Sequence, residues 1–80
     1  MKQITADKIV VAVGGRPRPL DIPGGDLVIT SDDIFSREDL PTAGRLLVIG
    51  GSYVALECAG FLSALTSAEV VVMHRSLLLR

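Results

Sequence analysis

The stretch from Leu46 to Arg80 constrains this chain most. An apolar run, Leu46-Leu47-Val48-Ile49, ends in Gly50-Gly51-Ser52. A helix-forming stretch from Tyr53 to about Leu65 follows, and a second β-rich run, Val70-Val71-Val72-Met73, ends in His74-Arg75. Strand, tight small-residue turn, helix and strand in that order read as the first β-α-β unit of a nucleotide-binding domain, so the expected fold class is α/β. The unpaired N–H groups and positive dipole end of such a helix attract phosphates. The charge at the end of the second strand then selects which dinucleotide enters.

Composition sets the outer bounds. Eighty residues make at most one small domain. The apolar fraction is 49%, the mean hydropathy +0.49 and the net charge -1. That composition forms a core and excludes both disorder and nucleic-acid binding as a function class. It is also too apolar for a lone domain of roughly 70–80 residues, where surface dominates. Leu77-Leu78-Leu79-Arg80 stops with nothing to pack against, so a fragment of a larger protein is expected. Cys58 is the single cysteine, which rules out an internal disulfide and a CxxC metal site. Met1 to Asp7 lacks the apolar core of a secretory signal, pointing to an intracellular, cytoplasmic setting with the mitochondrion as the alternative.

Three pieces follow one another. Lys8 to Val13 is a β-branched run bounded by Gly14-Gly15 and Arg16-Pro17-Arg18-Pro19, which forbid continuation of helix or strand. Asp21 to Gly44 holds a Pro23-Gly24-Gly25 turn, a short strand near Leu27 to Thr30, and Ser31-Asp32-Asp33, with Ser31 as N-cap and acids in the first helical turn. Pro41 and Gly44 break the chain, dividing it into segments 1–41 and 42–80. A membrane span over Leu46 to Leu65 has roughly the right length. The central Gly50-Gly51-Ser52, the flanking β-branched runs and the costly Glu57 argue against it.

The turn reads Gly50-Gly51-Ser52-Tyr53-Val54-Ala55 against the fingerprint G-x-G-x-x-G/A. Gly50 allows the tight turn, Ser52 stands for the second glycine, and Ala55 keeps the helix close to the strand. The alternative is a turn that only joins strand to helix. An NAD site usually places an acid about 20 residues beyond the first glycine, to bind the ribose 2′-OH. Here the zone ends in His74-Arg75, and Glu69 sits at the wrong end of the strand. Arg75 and Arg80 supply planar charged donors suited to a 2′-phosphate, predicting NADPH in place of NADH. Outside the β-α-β context, a solvated surface pair would be the simpler reading.

On the helix, Tyr53 and Glu57 share one face, extended by the small residues Gly60 and Ala64. Val54, Cys58, Phe61 or Leu62, and Leu65 form another stripe, expected to face the sheet. No basic residue is placed at helical spacing to activate Cys58, so it reads as a structural thiol. His74 has no partners for a metal role and reads as a phosphate neighbour or an exposed side chain.

At these residues the chain resembles the flavin-dependent pyridine nucleotide-disulfide oxidoreductases, most of all the high-molecular-weight thioredoxin reductase branch and next the glutathione reductase branch. Lys8 to Pro17 resembles the segment that closes the first part of the FAD domain, and Ile29 to Phe35 the crossover into the NADPH domain. Ser52 to Leu62 and Arg75 to Arg80 are similar to the thioredoxin reductase version of the nucleotide unit, whereas Ser63-Ala64-Leu65 leans towards glutathione reductase. The resemblance implies FAD and NADPH as cofactors, a homodimer, and thioredoxin or glutathione disulfide as substrate. It implies that Gly50, Gly51 and Ser52, with Val54 beside them, line the NADPH pyrophosphate, and that Arg75 and Arg80 grip the 2′-phosphate with His74 nearby. It further implies that Tyr53 lies near the flavin, that Glu57 pairs there with a lysine of the FAD domain, and that Gly14 and Gly15 lie near FAD.

Three positions depart from the family pattern. Val13 stands in place of a threonine, His74 in place of an apolar or different residue, and Thr66 where a glycine commonly ends the helix. A left-handed C′ position is costly for a β-branched residue, so a different helix end is expected. The family's N-terminal glycine motif, its CxxxxC redox pair and its His-Glu pair are not among these residues. The disulfide step therefore needs more than this stretch, and the rival reading is a nucleotide-binding remnant without redox activity.

Overall fold

The computed structural model describes residues 1–79. In chain order they form a single 3-10 turn at Gly25–Leu27, helix α1 (Ser31–Ile34), strand β1 (Arg45–Ile49), helix α2 (Tyr53–Leu65) and strand β2 (Glu69–Met73). The two strands pair in parallel, with Leu46 opposite Val70 and Ile49 opposite Met73. A parallel pair needs a crossover connection, and α2 supplies it. The predicted strand–turn–helix–strand order is thus present, with helix bounds as expected and each strand one residue longer at its start.

Alternation along both strands puts Leu46, Val48, Val70 and Val72 half-buried on the α2 side. Cys58, Ala59 and Leu62 are the buried side chains of the helix. Ala55 and Phe61 are half-buried beside them. The seam therefore runs through Ala55, Cys58, Ala59 and Leu62, at i, i+3, i+4 and i+7. Leu65, expected on this face, is instead 80% exposed. It is the last residue of the helix. Ala55 stands close to the strand as expected, and Ala59, whose small side chain carries little hydropathy and gave no signal, joins it on the seam.

The helix end departs from the glycine pattern, as expected from Thr66. Its backbone is extended at φ -125 and ψ 164. The Thr66 hydroxyl donates to the Leu62 carbonyl at 2.6 Å, and the Ala68 N–H donates back to Thr66 Oγ1 at 3.2 Å. The Ser67 and Glu69 N–H groups donate to the Thr42 and Gly44 carbonyls, both at 2.8 Å, which clips the α2–β2 connection to the start of β1.

Two expectations before β1 are corrected. Leu27 to Thr30 is no strand, because its start lies in the 3-10 turn and no partner strand stands beside it among the described residues. The N-cap of α1 is Thr30, with Ser31 already the first helical residue. Thr30 wins because its N–H and its hydroxyl both donate to Asp33 Oδ2, at 2.7 and 2.9 Å. The bond from the Thr30 N–H to the Asp33 carboxylate is the N3-to-N-cap half of a capping box, and the Thr30 hydroxyl strengthens the same contact. Lys8 to Val13 lies outside any helix or ladder, with its apolar side chains exposed. Phe35 stacks at a tilt on Phe61, their ring centroids 5.6 Å apart, which seats the α1 segment on α2.

Two outcomes follow from this packing. Thr66→Val in the intact protein removes both side-chain bonds of the α2 end and lowers stability by about 1 kcal/mol, measured by urea unfolding. The bonds from the Thr30 backbone and hydroxyl hold the Asp33 carboxyl below its ordinary value. A depressed carboxylate stabilises above its unfolded pKa, and that contribution is lost as pH falls through the folded value. Titration of Asp33 by NMR therefore shows a midpoint below the ordinary value near 4. A midpoint at or above it contradicts the cap.

Candidate functional site

Ile49 and Met73 end the two strands side by side, so the turns that follow them open at one edge of the sheet. Between those turns lies an open cleft of ≈ 540 Å³. Gly50, Gly51 and Ser52 form one wall, and His74, Arg75 and Ser76 form the other. In open α/β sheets, ligands bind in the crevice outside the carboxyl ends of the strands.

Gly50 makes the sharp passage from strand to helix. Its φ is 142, in the region that L side chains rarely adopt, and a Cβ there would lie 3.3 Å from Ala55 Cβ. Glycine at 50 and a small residue at 55 are thus parts of one contact. The Gly50 N–H donates to the Met73 carbonyl at 2.9 Å, fixing the turn to the end of β2. Ser52 is the N-cap of α2 in extended conformation, and its hydroxyl makes no capping bond. The first bond into the helix runs from the Leu56 N–H to the Ser52 carbonyl at 3.1 Å. The N–H groups of Tyr53, Val54 and Ala55 therefore have no acceptor among the described residues.

Arg75 is exposed and makes no ion pair among the described residues. Glu69 lies at the far end of β2 and is spent there, accepting from Arg45 Nε at 3.0 Å across the strand pair. Among the described residues, those that line the cleft include Arg75 and His74 and no carboxylate.

The structure brings Gly50, Gly51, Ser52, His74 and Arg75 to this cleft. Tyr53 and Val54 start the helix beside it, with Tyr53 66% exposed, and Glu57 is exposed one turn further on. Gly60 and Ala64 continue that open face. Gly14 and Gly15 lie elsewhere, in a second cleft with Val13, Arg16 and Asp32 that shares no lining residue with the first. Arg80 lies outside the described residues. Sequence reading missed Ser76 and the return of residues 77–79 onto Gly51, for which neither periodicity nor a motif gave a signal. Burial pushes the Cys58 thiol above its ordinary value, and the neighbouring Glu57 carboxylate adds to it, as suits a packing residue.

The sequence profile of the family described as pyridine nucleotide-disulphide oxidoreductase matches residues 1–80. The chain is 59% identical over 80 residues to "Thioredoxin reductase 2, mitochondrial" of Drosophila melanogaster, which covers 99% of this chain and 15% of that protein. It is 54% identical over 79 residues to "Thioredoxin reductase SEP1" of Emiliania huxleyi, covering 98% of this chain and 15% of that protein. This chain belongs to the pyridine nucleotide-disulphide oxidoreductase family. It spans 15% of the length of these two relatives. No solved structure matches it significantly. Among the described residues no helix is long and apolar enough to cross a membrane, and Leu46 to Leu65 divides into a strand, a turn and a 13-residue helix.

A direct check on Cys58 is its reaction with Ellman's reagent in the intact protein at neutral pH. The thiol reacts at least about tenfold more slowly in the native state than after unfolding. Equal rates would make it an accessible nucleophile.

Proposed function

We propose that this chain forms the NADPH-binding β-α-β unit, with an adjoining flavin-side segment, of a thioredoxin reductase-type disulfide reductase. One observation carries this reading: among the described residues, three helix N–H groups without an acceptor and an arginine without an ion pair stand at the same glycine-lined cleft, whose lining contains no acid. That arrangement fits a phosphorylated dinucleotide. Free amides at a helix start suit the pyrophosphate, Gly50 and Gly51 let its oxygens approach the backbone, and Ser52 adds an uncommitted hydroxyl. Arg75, with His74 beside it, suits the 2′-phosphate, Arg80 is assigned the same role from the resemblance alone, and the lack of an acid in the lining disfavours the free ribose hydroxyl of NADH.

When bound, NADPH would supply a hydride for FAD, and that hydride together with one proton from solvent amounts to the two electrons and two protons that convert a disulfide into two thiols. The residues here bind and orient. Tyr53, Glu57, Gly60 and Ala64 give α2 an open face with two small residues, suited to close approach by the flavin side, and Tyr53 would stand nearest the ring. Gly14 and Gly15 would border FAD from the 1–41 segment, and the nucleotide unit occupies 42–80. Names of both relatives favour thioredoxin over glutathione disulfide as substrate. Homodimerisation is proposed from the resemblance alone. Cytoplasm is the proposed compartment, with the mitochondrion of the Drosophila relative's name as the alternative.

Arg75→Ala in the complete enzyme tests the assignment. The NADPH-over-NADH ratio of kcat/KM falls by about 10- to 100-fold as a charge-assisted phosphate contact is lost. An unchanged ratio overturns the reading of this cleft.

A further inference from the structure

The segment that follows β2 carries Arg75 to the rim and then turns back. The Leu79 N–H donates to the Gly51 carbonyl at 2.7 Å. A Cβ on Gly51 would lie 3.1 Å from the Leu77 carbonyl oxygen and 3.2 Å from His74 Cβ. The glycine turn and the arginine-bearing arm thus meet closely, and a side chain at position 51 would press on the arm. Leu79 holds φ 55 to make this bond. That is the left-handed region, which a leucine adopts only when its surroundings hold it there.

We propose that Leu79 is a positioning residue whose N–H ties the arm after β2 to the pyrophosphate turn, so that preference for a 2′-phosphorylated dinucleotide depends on it. The inference rests on the proposed reading of the cleft and goes beyond it. Arg75 can meet a 2′-phosphate at low cost only if its arm is already in place when the pyrophosphate settles on Gly50 to Ala55. With the tie cut, the arm must be ordered at the moment of binding, and the penalty falls on NADPH, since NADH makes no use of the arm.

The test is the NADPH-over-NADH ratio of kcat/KM in the complete, flavin-loaded enzyme. Leu79→Pro removes the donor and forbids the left-handed backbone. It lowers the ratio about tenfold through the KM for NADPH, with kcat at saturating NADPH unchanged. Leu79→Gly keeps the donor and accepts the backbone, and it retains the native ratio. If Leu79→Pro leaves the ratio intact while Arg75→Ala collapses it, the tie is refuted and the cleft assignment stands. If neither changes it, the assignment itself fails. Should Leu79→Pro not load flavin, amide exchange at Leu79 in the unaltered enzyme decides. Saturating 2′,5′-ADP slows that exchange about tenfold more than saturating 5′-ADP does. Equal protection by the two overturns the proposal.

Discussion

The close approach of Gly50 to Ala55 is the contact on which the rest depends. A Cβ at position 50 would meet the Ala55 methyl at 3.3 Å, and the backbone there has φ 142. In that conformation β1 passes into α2 within three residues. The bond from Gly50 to the Met73 carbonyl then ties the turn to the end of the neighbouring strand. One tight passage thereby sets three things at one place: the helix start with its free N–H groups, the glycine wall, and the arginine beyond β2. A larger residue at either position would separate them.

Packing around this passage is economical. Small residues on the seam, Ala55 and Ala59 with Cys58, bring the helix axis close to the strands, and Leu62 fills the space behind them. The opposite face of the sheet, with Leu47, Ile49, Val71 and Met73, stays 39% to 55% exposed. The backbone adds the parallel ladder, the Gly50 bond and the two clips from the α2–β2 connection to Thr42 and Gly44. These are the contacts that keep the cleft in shape.

Local chemistry made the β-α-β unit legible in the sequence. Gly44 and Gly50 bounded the first strand, the apolar runs had strand length, and the small residue at 55 marked the fingerprint's last position. Contacts between distant segments were not legible. Leu27 to Thr30 had strand composition, but a strand exists only with a partner, and the ladder in the described residues pairs β1 with β2 alone. Choosing Thr30 over Ser31 as cap needed the reach of Asp33, which spacing by itself leaves open. Leu65 matched the helical period, yet as the last residue of α2 it stays exposed, which periodicity alone does not show. Glu69 could be set aside for its position, whereas its engagement by Arg45 emerged only with the register of the strands. Residues 74–79 fold back on Gly51 without any repeating pattern to announce it.

Charge at the cleft follows from that register. Parallel pairing puts Glu69 and Arg45 together at one end of the sheet and leaves His74 and Arg75 at the other, where the helix amides also open. The most direct measurement is a crystal structure of the intact protein with NADP⁺. The phosphates are expected at about 3 Å from the N–H groups of Tyr53 to Ala55, with the 2′-phosphate against Arg75. A nucleotide bound elsewhere, with the Gly50 turn free of phosphate, would contradict the assignment of this cleft.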